Sequence, residues 1–457
     1  MENPDILNVK PISHPDSMSI STSILDPVVI SDSFCRFNLE KRGLLHSNSK
    51  IQLGFKKTGA NADTVTLPAS IGCESLVQRC VLSCNSRILV DTSDFNHLRA
   101  YENVFQPAER MVEVDRVMSG KCHAFQQIKH PALSGTLLTT GAEEETSIFL
   151  DNGKDLDIAL SNVLLWSKSE VKPHDNQIVR NNSTYSLNIS DLFKVLRVHE
   201  LPLFLIDGNI NIELYFQPTQ ALRFSDIGSV AVNAYEIDNS QIKFIADYIT
   251  YPEPVMNKMR NQKRTVMPFL DYQLVTGQNN YSTNPSYIRN LGGSGKIVSK
   301  VIVSNVITSV GGTAIDFSTK INNQYVSNDI GPINYNFKVN DELIYPVDIS
   351  NTAQLFTKTL SAQGMPLNTI GGDYKVADFG SPYSPTGTYG DIEQASIQGN
   401  RNYFASEMPN NPRVNNRGLE LHTSMVGSVN QVVTQRVWLE IAKFLVLENG
   451  VFDVQFA

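Results

Sequence analysis

From Ser33 onward, apolar and polar residues alternate one by one. Cys35, Phe37 and Leu39 interleave with Arg36, Asn38 and Glu40, and Ile51, Leu53 and Phe55 with Gln52 and Lys56. A strand turns successive side chains to opposite faces, so this period of two predicts strands with one buried and one wet face. The alternation returns in Ile210, Ile212, Leu214 and Phe216 against Asn211 and Glu213, and in Tyr335, Phe337 and Val339 against Asn336 and Lys338. It closes the chain, with Phe452, Val454 and Phe456 set against Asp453 and Gln455. Helical spacing is rare. With Ser93 or Asp94 as N-cap, Phe95, Leu98, Tyr101 and Phe105 share one face; after Ser190, Leu192, Phe193 and Leu196 do the same. Each predicted helix is long enough to plug the end of a sandwich and no longer. Ahead of the strands, Pro4, Pro11, Pro15 and Pro27 stand among Ser and Asp without sustained periodicity, which predicts an extended arm over residues 1–29.

The pattern also repeats on a larger scale. Asn85-x-x-Ile-Leu runs into Asp91-Thr-Ser-Asp-Phe-Asn-His-Leu98, and Asn340-x-x-Leu-Ile runs into Asp348-Ile-Ser-Asn-Thr-Ala-Gln-Leu355. Near the end of each half, Ile245-Ala-Asp-Tyr-Ile249 answers Ile441-Ala-Lys-Phe-Leu445. Two echoes in the same order predict a tandem duplication. The break falls where Pro252, Pro254 and the basic run Lys258, Arg260, Lys263 and Arg264 interrupt the β pattern. The expected units are an arm at 1–29, a first sandwich at 30–252, a basic linker at 253–264 and a second sandwich at 265–457. Each half also holds a long irregular stretch. Residues 107–185 carry the acidic triplet Glu143 to Glu145 and a polar segment from Pro173, and residues 362–417 are rich in Gly, Pro, Asn and Tyr. Irregular stretches of that length serve a purpose of their own, as projecting surface, intersubunit contact or lid.

Composition agrees with an all-β chain: hydrophobic residues make up 41% and charged residues 18% of 457. A formal net charge of -8 excludes the dense basic field that wraps nucleic acid. The longest apolar run, Leu201 to Ile206, is far short of the roughly 18 residues of a membrane span, and the polar start Met-Glu-Asn-Pro predicts no signal peptide. Five cysteines in so long a chain do not build a disulfide scaffold, and Cys35, Cys73, Cys80 and Cys84 fall in apolar contexts, which suits reduced, cytosolic synthesis. The Asn-x-Ser/Thr triplets between Asn181 and Asn188, and at Asn280, matter only on a secretory route.

The chain offers no phosphate loop, no dinucleotide fingerprint, no nucleophile elbow and no His-Glu-x-x-His. Gly292-Gly-Ser-Gly295 precedes a strand and reads as a loop. Cys80 and Cys84, with Cys73, Cys122 and His123, have the chemistry of zinc ligands, but 80, 82 and 84 share a strand face and read as core. His97 and His199 read as helix-surface or strand-end residues. The basic run from Lys258 to Arg264 reads as a solvated stretch, with contact to nucleic acid or an anionic membrane as its functional alternative. No catalytic, cofactor-binding or metal-ligating residue is assigned.

Against that background, Phe37-Asn-Leu-Glu-Lys-Arg-Gly-Leu-Leu-His46, Leu67-Pro-Ala-Ser-Ile-Gly72 with Leu76-Val-Gln-Arg-Cys-Val-Leu82, and Asp94-Phe-Asn-His97 stand out, together with Leu201-Pro-Leu-Phe and Asp207-Gly-Asn-Ile-Asn-Ile-Glu-Leu214. In these the chain resembles the double jelly-roll major capsid proteins of eukaryotic DNA viruses, the polinton-like and virophage group first and the nucleocytoplasmic large DNA viruses next. The resemblance implies two tandem eight-stranded antiparallel jelly-roll β-sandwiches with short helices in loops. It further implies a homotrimer acting as a pseudohexagonal capsomer of an icosahedral virion, in contact with neighbouring capsomers and with minor capsid, penton and cement proteins, and without cofactor or enzymatic activity. Two other readings stand beside it: a minor capsid protein, and a carbohydrate-binding or carbohydrate-active sandwich using Tyr383 and Tyr389.

Overall fold

The computed structural model of the chain describes residues 18–57, 65–67, 71–103, 116–119, 169–170, 184–217, 224–225, 235–314, 333–350, 352–363, 403–425 and 430–457. Among the described residues, sixteen principal strands form two successive sets of eight, with shorter strands beside them. The first set is β1 (Ser19–Leu25), β2 (Phe34–Asn38), β3 (Lys50–Lys57), β4 (Val77–Cys84), β5 (Arg87–Ser93), β6 (Thr184–Asn188), β7 (Ile210–Phe216) and β8 (Lys243–Thr250). The second is β9 (Arg264–Asn280), β10 (Ser286–Gly292), β11 (Val298–Val310), β12 (Ile333–Val339), β13 (Glu342–Leu343), β14 (Tyr403–Glu407), β15 (Leu419–Met425) and β16 (Gln431–Glu448); β17 (Val451–Phe456) follows as a hairpin partner of β16.

In the first set the sheets run β1-β8-β3-β6 and β2-β7-β4-β5. In the second they run β9-β16-β11-β14 and β10-β15-β12-β13, which is the same order with eight added to every number. Every pairing is antiparallel. Two sheets whose eight principal strands are connected in this order are a jelly roll, so the chain is two jelly rolls in tandem. The outer strand of each roll's first sheet is its first strand.

The alternation locates the cores. Cys35, Phe37, Ile51, Leu53, Ile210, Ile212, Leu214 and Phe216 are all buried in the first roll, and Tyr335, Phe337 and Val339 in the second. Asn336, expected on a wet face, is buried: the turn at 345–349 covers that side of β12, and the Asn336 amide donates to Tyr345 O (3.1 Å) and Asp348 Oδ1 (2.8 Å). In β17 the alternation weakens outward, with Phe452 buried and Phe456 half exposed.

Both echoes fall on equivalent places. Asn85 and Asn340 open the turn after β4 and after β12, with φ of 54° and 53°. Their Oδ1 atoms accept from the backbone N of Asn209 (3.0 Å) and Asn415 (2.8 Å), each just ahead of the strand paired with that turn's own strand. Asn tolerates this left-handed conformation better than other side chains with a Cβ. The second echo lies on β8 and β16, the equivalent second strands of the two first sheets.

Helices are short. α1 (Phe95–Asn103) follows β5, and α5 (Thr352–Ala362) follows β13 at the equivalent place. Leu98 and Leu355, the closing residues of the echo, are both buried. Where one helix after Ser190 was expected there are two single turns, α2 (Ile189–Leu192) and α3 (Val195–Val198), broken at Phe193, whose backbone is extended. Asn188 occupies the N-cap, so Ser190 lies within α2; Leu192, Phe193 and Leu196 are all buried as the spacing requires.

Residues 19–25, read from the sequence as part of the arm, form β1. Both faces of the strand are largely solvent-accessible, which removes the alternation by which a strand is recognised. The segment read as a basic linker holds α4 (Glu253–Arg260), which seats Met256 against Leu44 and Ile249. A chain change at either turn asparagine tests the equivalence. Asn340→Ala and Asn85→Ala are each expected to lose about 1–2 kcal/mol in urea unfolding, from the lost Oδ1 bond and left-handed strain, whereas Asn→Gly retains part of it.

Candidate functional site

The elements that bring the two rolls together are α1 and the long strands β9 and β16. α1 leaves the first roll and inserts Leu98, Ala100 and Tyr101 into the core of the second. Tyr101 is wholly buried, its ring 5.8 Å from that of Tyr403. In return, the outer ends of β9 and β16 carry Met267, Phe269, Leu445 and Leu447, with Phe452 of β17, into the core of the first roll. β9 and β16 pair over all 17 residues of β9, so one ribbon spans both cores.

Polar contacts follow the same seam. The Arg436 guanidinium pairs with Asp94 (2.6 Å) and the Trp438 indole donates to Ser93 O (3.3 Å). Arg87 pairs with Asp453 (2.8 Å). His199 Nε2 lies 2.7 Å from Pro268 O. The Asn449-Gly450 turn between β16 and β17 has both residues at positive φ, as a tight two-residue hairpin requires. It abuts the first roll so closely that a Cβ at Gly450 would stand 2.4 Å from Asp207 Oδ2, while Gly450 O accepts from Asp207 N at 2.9 Å.

Because α1 is enclosed by both rolls, most of its polar side is out of water. Asn96, His97, Arg99 and Asn103 are buried. His97 is therefore a core residue and not the helix-surface residue expected; burial, with the nearby Arg436 charge, pushes its imidazole well below the usual range. Arg99 is met by Glu74 in a two-pronged pair (3.1 Å each), by Glu102 and by Asp191 (3.6 Å). Lys194 pairs with Glu102 and lies over the Tyr272 ring at 5.0 Å, and Arg197 reaches Asp191 (3.1 Å) and Glu102 (3.3 Å). Three cations thus face three carboxylates. Burial by itself raises the Glu102 carboxyl, but Lys194, Arg99 and Arg197 together outweigh it and hold it well below the carboxylate range. Sequence reading passed over this cluster. Its only local signals are the i,i+3 pair of Arg99 with Glu102 and the equal spacing of Lys194 and Arg197; the remaining partners come from distant parts of the chain.

Cys35, Cys73, Cys80 and Cys84 are free and buried. Burial pushes the Cys35 thiol up to about 12 and also raises Cys80, whose Sγ lies 3.3 Å from Leu192 O. Cys122, His123, Glu143 to Glu145, Phe105, Tyr383 and Tyr389 lie outside the described residues. Gly293 and Gly295 form the turn between β10 and β11. In the basic run, Arg260 is paired with Glu253 (2.6 Å) and rests over Phe204, which leaves a mixed surface in place of a uniformly positive one.

A cleft of about 560 Å³ opens beside α5 and β14, lined by Lys300, Tyr345, Lys358, Glu407 and Glu440 among others. Its charged groups are engaged by neighbouring side chains, Glu407 accepting from Ser361 Oγ at 3.3 Å. Glu440 accepts from Ser299 Oγ (2.7 Å) and pairs with Lys300 (3.1 Å), and Lys358 lies over the Tyr345 ring. Among the described residues no group of three or more His, Cys, Asp or Glu is placed to hold a metal ion, and no helix is long and apolar enough to cross a membrane.

The junction makes a pH prediction. Glu102 has a folded pKa below its unfolded value of about 4.3. The cluster's contribution is therefore complete above that value and is lost as pH falls toward the folded one. Glu102→Gln leaves the buried Arg99, the half-buried Lys194 and the exposed Arg197 short of a partner and is expected to lower stability at pH 7 by about 3 kcal/mol, chiefly through Arg99. It should also flatten the fall between pH 5 and pH 2 in urea titrations at each pH. Parallel curves for the two proteins would contradict this role.

No family model matches the chain, and no curated protein matches it in sequence. Among solved structures it is similar to a chain of the Sputnik virophage, with a TM-score of 0.56 and 9% identity over 96% of this chain and 89% of that one. It is similar to the PBCV-1 virus capsid, with a TM-score of 0.54 and 9% identity over 98% and 99%. It is also similar to the Faustovirus major capsid protein, with a TM-score of 0.52 and 9% identity over 96% and 93%. The likeness covers both rolls and the junction between them. The chain therefore has the double jelly-roll fold seen in these viral structures.

Proposed function

We propose that the chain is a major capsid protein, whose homotrimers form pseudohexagonal capsomers that tile an icosahedral virion shell. One observation carries this reading: two jelly rolls of the same strand order are locked into a single body by α1 and the β9–β16 ribbon. Three such chains around a threefold axis present six similar lobes, and six lobes fill a hexagonal lattice that three would fill poorly. A shell also needs its subunits to hold a fixed angle. A junction in which each core borrows residues from the other supplies that, where a loose linker would not.

On this reading the chain is not an enzyme, is made in the host cytoplasm and resides in the virion. Its partners are two further copies in the capsomer, neighbouring capsomers, and the minor capsid, penton and cement proteins of the shell. With a net charge of -8, no specific nucleic-acid binding is part of the role.

Light scattering on the full chain after size exclusion tests the reading. The expected species has the mass of three 50.8 kDa chains. A stable monomer that binds glycans would overturn it in favour of a carbohydrate-binding sandwich.

A further inference from the structure

β1 is the outermost strand of its sheet. β8 lies along one of its edges and, among the described residues, no strand lies along the other. An open edge presents unpaired N–H and C=O groups to any other chain, and exposed edges are ordinarily broken by a charge, a proline or a bulge. β1 has none of these. Its seven residues, Ser-Ile-Ser-Thr-Ser-Ile-Leu, are uncharged, and its register with β8 runs from Ser19 to Leu25 without a shift. The equivalent edge strand of the second roll, β9, begins with Arg264 and contains Pro268.

The side chains point the same way. Ile20, Thr22 and Ile24 lie opposite Ile249, Asp247 and Ile245, on the sheet face turned away from the core, and Thr22 Oγ1 is bonded to Asp247 Oδ1 at 2.6 Å. Ile20 is 53% and Ile24 68% exposed. The segment Ile20-Ser21-Thr22-Ser23-Ile24 also reads identically in both directions. An antiparallel pairing with an identical strand, centred on Thr22, sets Thr22 opposite Thr22 of the second copy. The same pairing sets each Ile20 opposite Ile24 of that copy. Self-complementarity about a dyad is what an isologous contact between two copies requires.

We propose that β1 docks on β1 of a second copy of this chain, antiparallel and in the register centred on Thr22, joining two first sheets into one continuous sheet across a twofold axis. The four isoleucines then cover one another on the outer face, as cross-strand pairs of β-branched residues do. A dyad cannot lie within a ring of three copies. If the capsomer is a trimer, this contact joins neighbouring capsomers; the strand-to-strand inference itself does not depend on the trimer.

Single cysteines in the full chain read the register directly. In the proposed pairing, two cysteines at position 22 stand opposite one another, within reach of a disulfide. Cysteines at position 20, or at position 24, are offset from their own counterparts by about four residues, roughly 13 Å, and cannot bridge. After oxidation, non-reducing electrophoresis is expected to show dimer from Thr22→Cys, at least tenfold less from Ile20→Cys or Ile24→Cys, and dimer again from the double variant Ile20→Cys/Ile24→Cys. Adding Ser21→Lys and Ser23→Lys to Thr22→Cys should abolish the dimer while leaving the unfolding midpoint unchanged. Equal yields from all three single variants, or none from Thr22→Cys, would overturn the proposal. Light scattering on the same samples reports trimer formation separately, so loss of one result leaves the other readable.

Discussion

Everything distinctive about this chain follows from the placement of α1 between the two rolls. A nine-residue helix at the end of a sandwich ordinarily keeps one side in water. Here the second roll covers Leu98, Ala100 and Tyr101, while the stretch before β4 and the α2–α3 turns of the first roll cover Asn96, Arg99 and Asn103, so both sides of the helix are largely desolvated. A buried guanidinium is tolerable only if it is surrounded by carboxylates, and Glu74, Glu102 and Asp191 supply them from three separate elements. The cluster thereby ties the stretch before β4, α1 and the α2–α3 turns into one geometry. A shift of the second roll would expose its apolar contacts with α1 and disturb the charge balance beneath it.

The apolar side of the junction reinforces this. β9 and β16 are too long for one sandwich, and their outer ends would present Met267, Phe269, Leu445 and Leu447 to water if the first roll were absent. Each roll therefore lacks part of its own core. For a subunit whose proposed task is to hold a fixed angle within a lattice, that reciprocity matters more than any single contact, because the cost of hinging falls on both cores together. The contrast at the edges is also informative. β9 contains Pro268 and begins with Arg264, whereas β1 is uncharged and, among the described residues, has one edge without a strand beside it, so the two rolls have equivalent topology and different outward chemistry.

The sequence revealed the strands wherever one face is buried and the other wet. Cys35 to Leu39 and Ile210 to Phe216 are read from their alternation alone, and the paired asparagines at 85 and 340 mark the same turn in each roll because each holds the same left-handed backbone and the same Oδ1 bond. It was silent where that contrast disappears. β1 has no buried face to alternate against, and Asn336 is polar on a face that a distant turn covers. The charge cluster was illegible for a related reason. Glu74 and Lys194 lie 25 and 95 residues from Arg99, and no local period registers a pairing made only when distant parts of the first roll fold around α1. His97 was misread on the same ground, since a helix position is wet or dry according to what packs on it, and the second roll lies hundreds of residues away in sequence.

The central claim is that one chain supplies two equivalent, rigidly joined lobes to a threefold assembly. Cryo-electron microscopy of the purified assembly, reconstructed with only threefold symmetry imposed, tests it most directly. The account predicts six lobes of similar size around the axis, alternating first and second rolls, with continuous density for the β9–β16 ribbon between the lobes of each chain. Three lobes, or six in which the second set is blurred by variable orientation to the first, would contradict it.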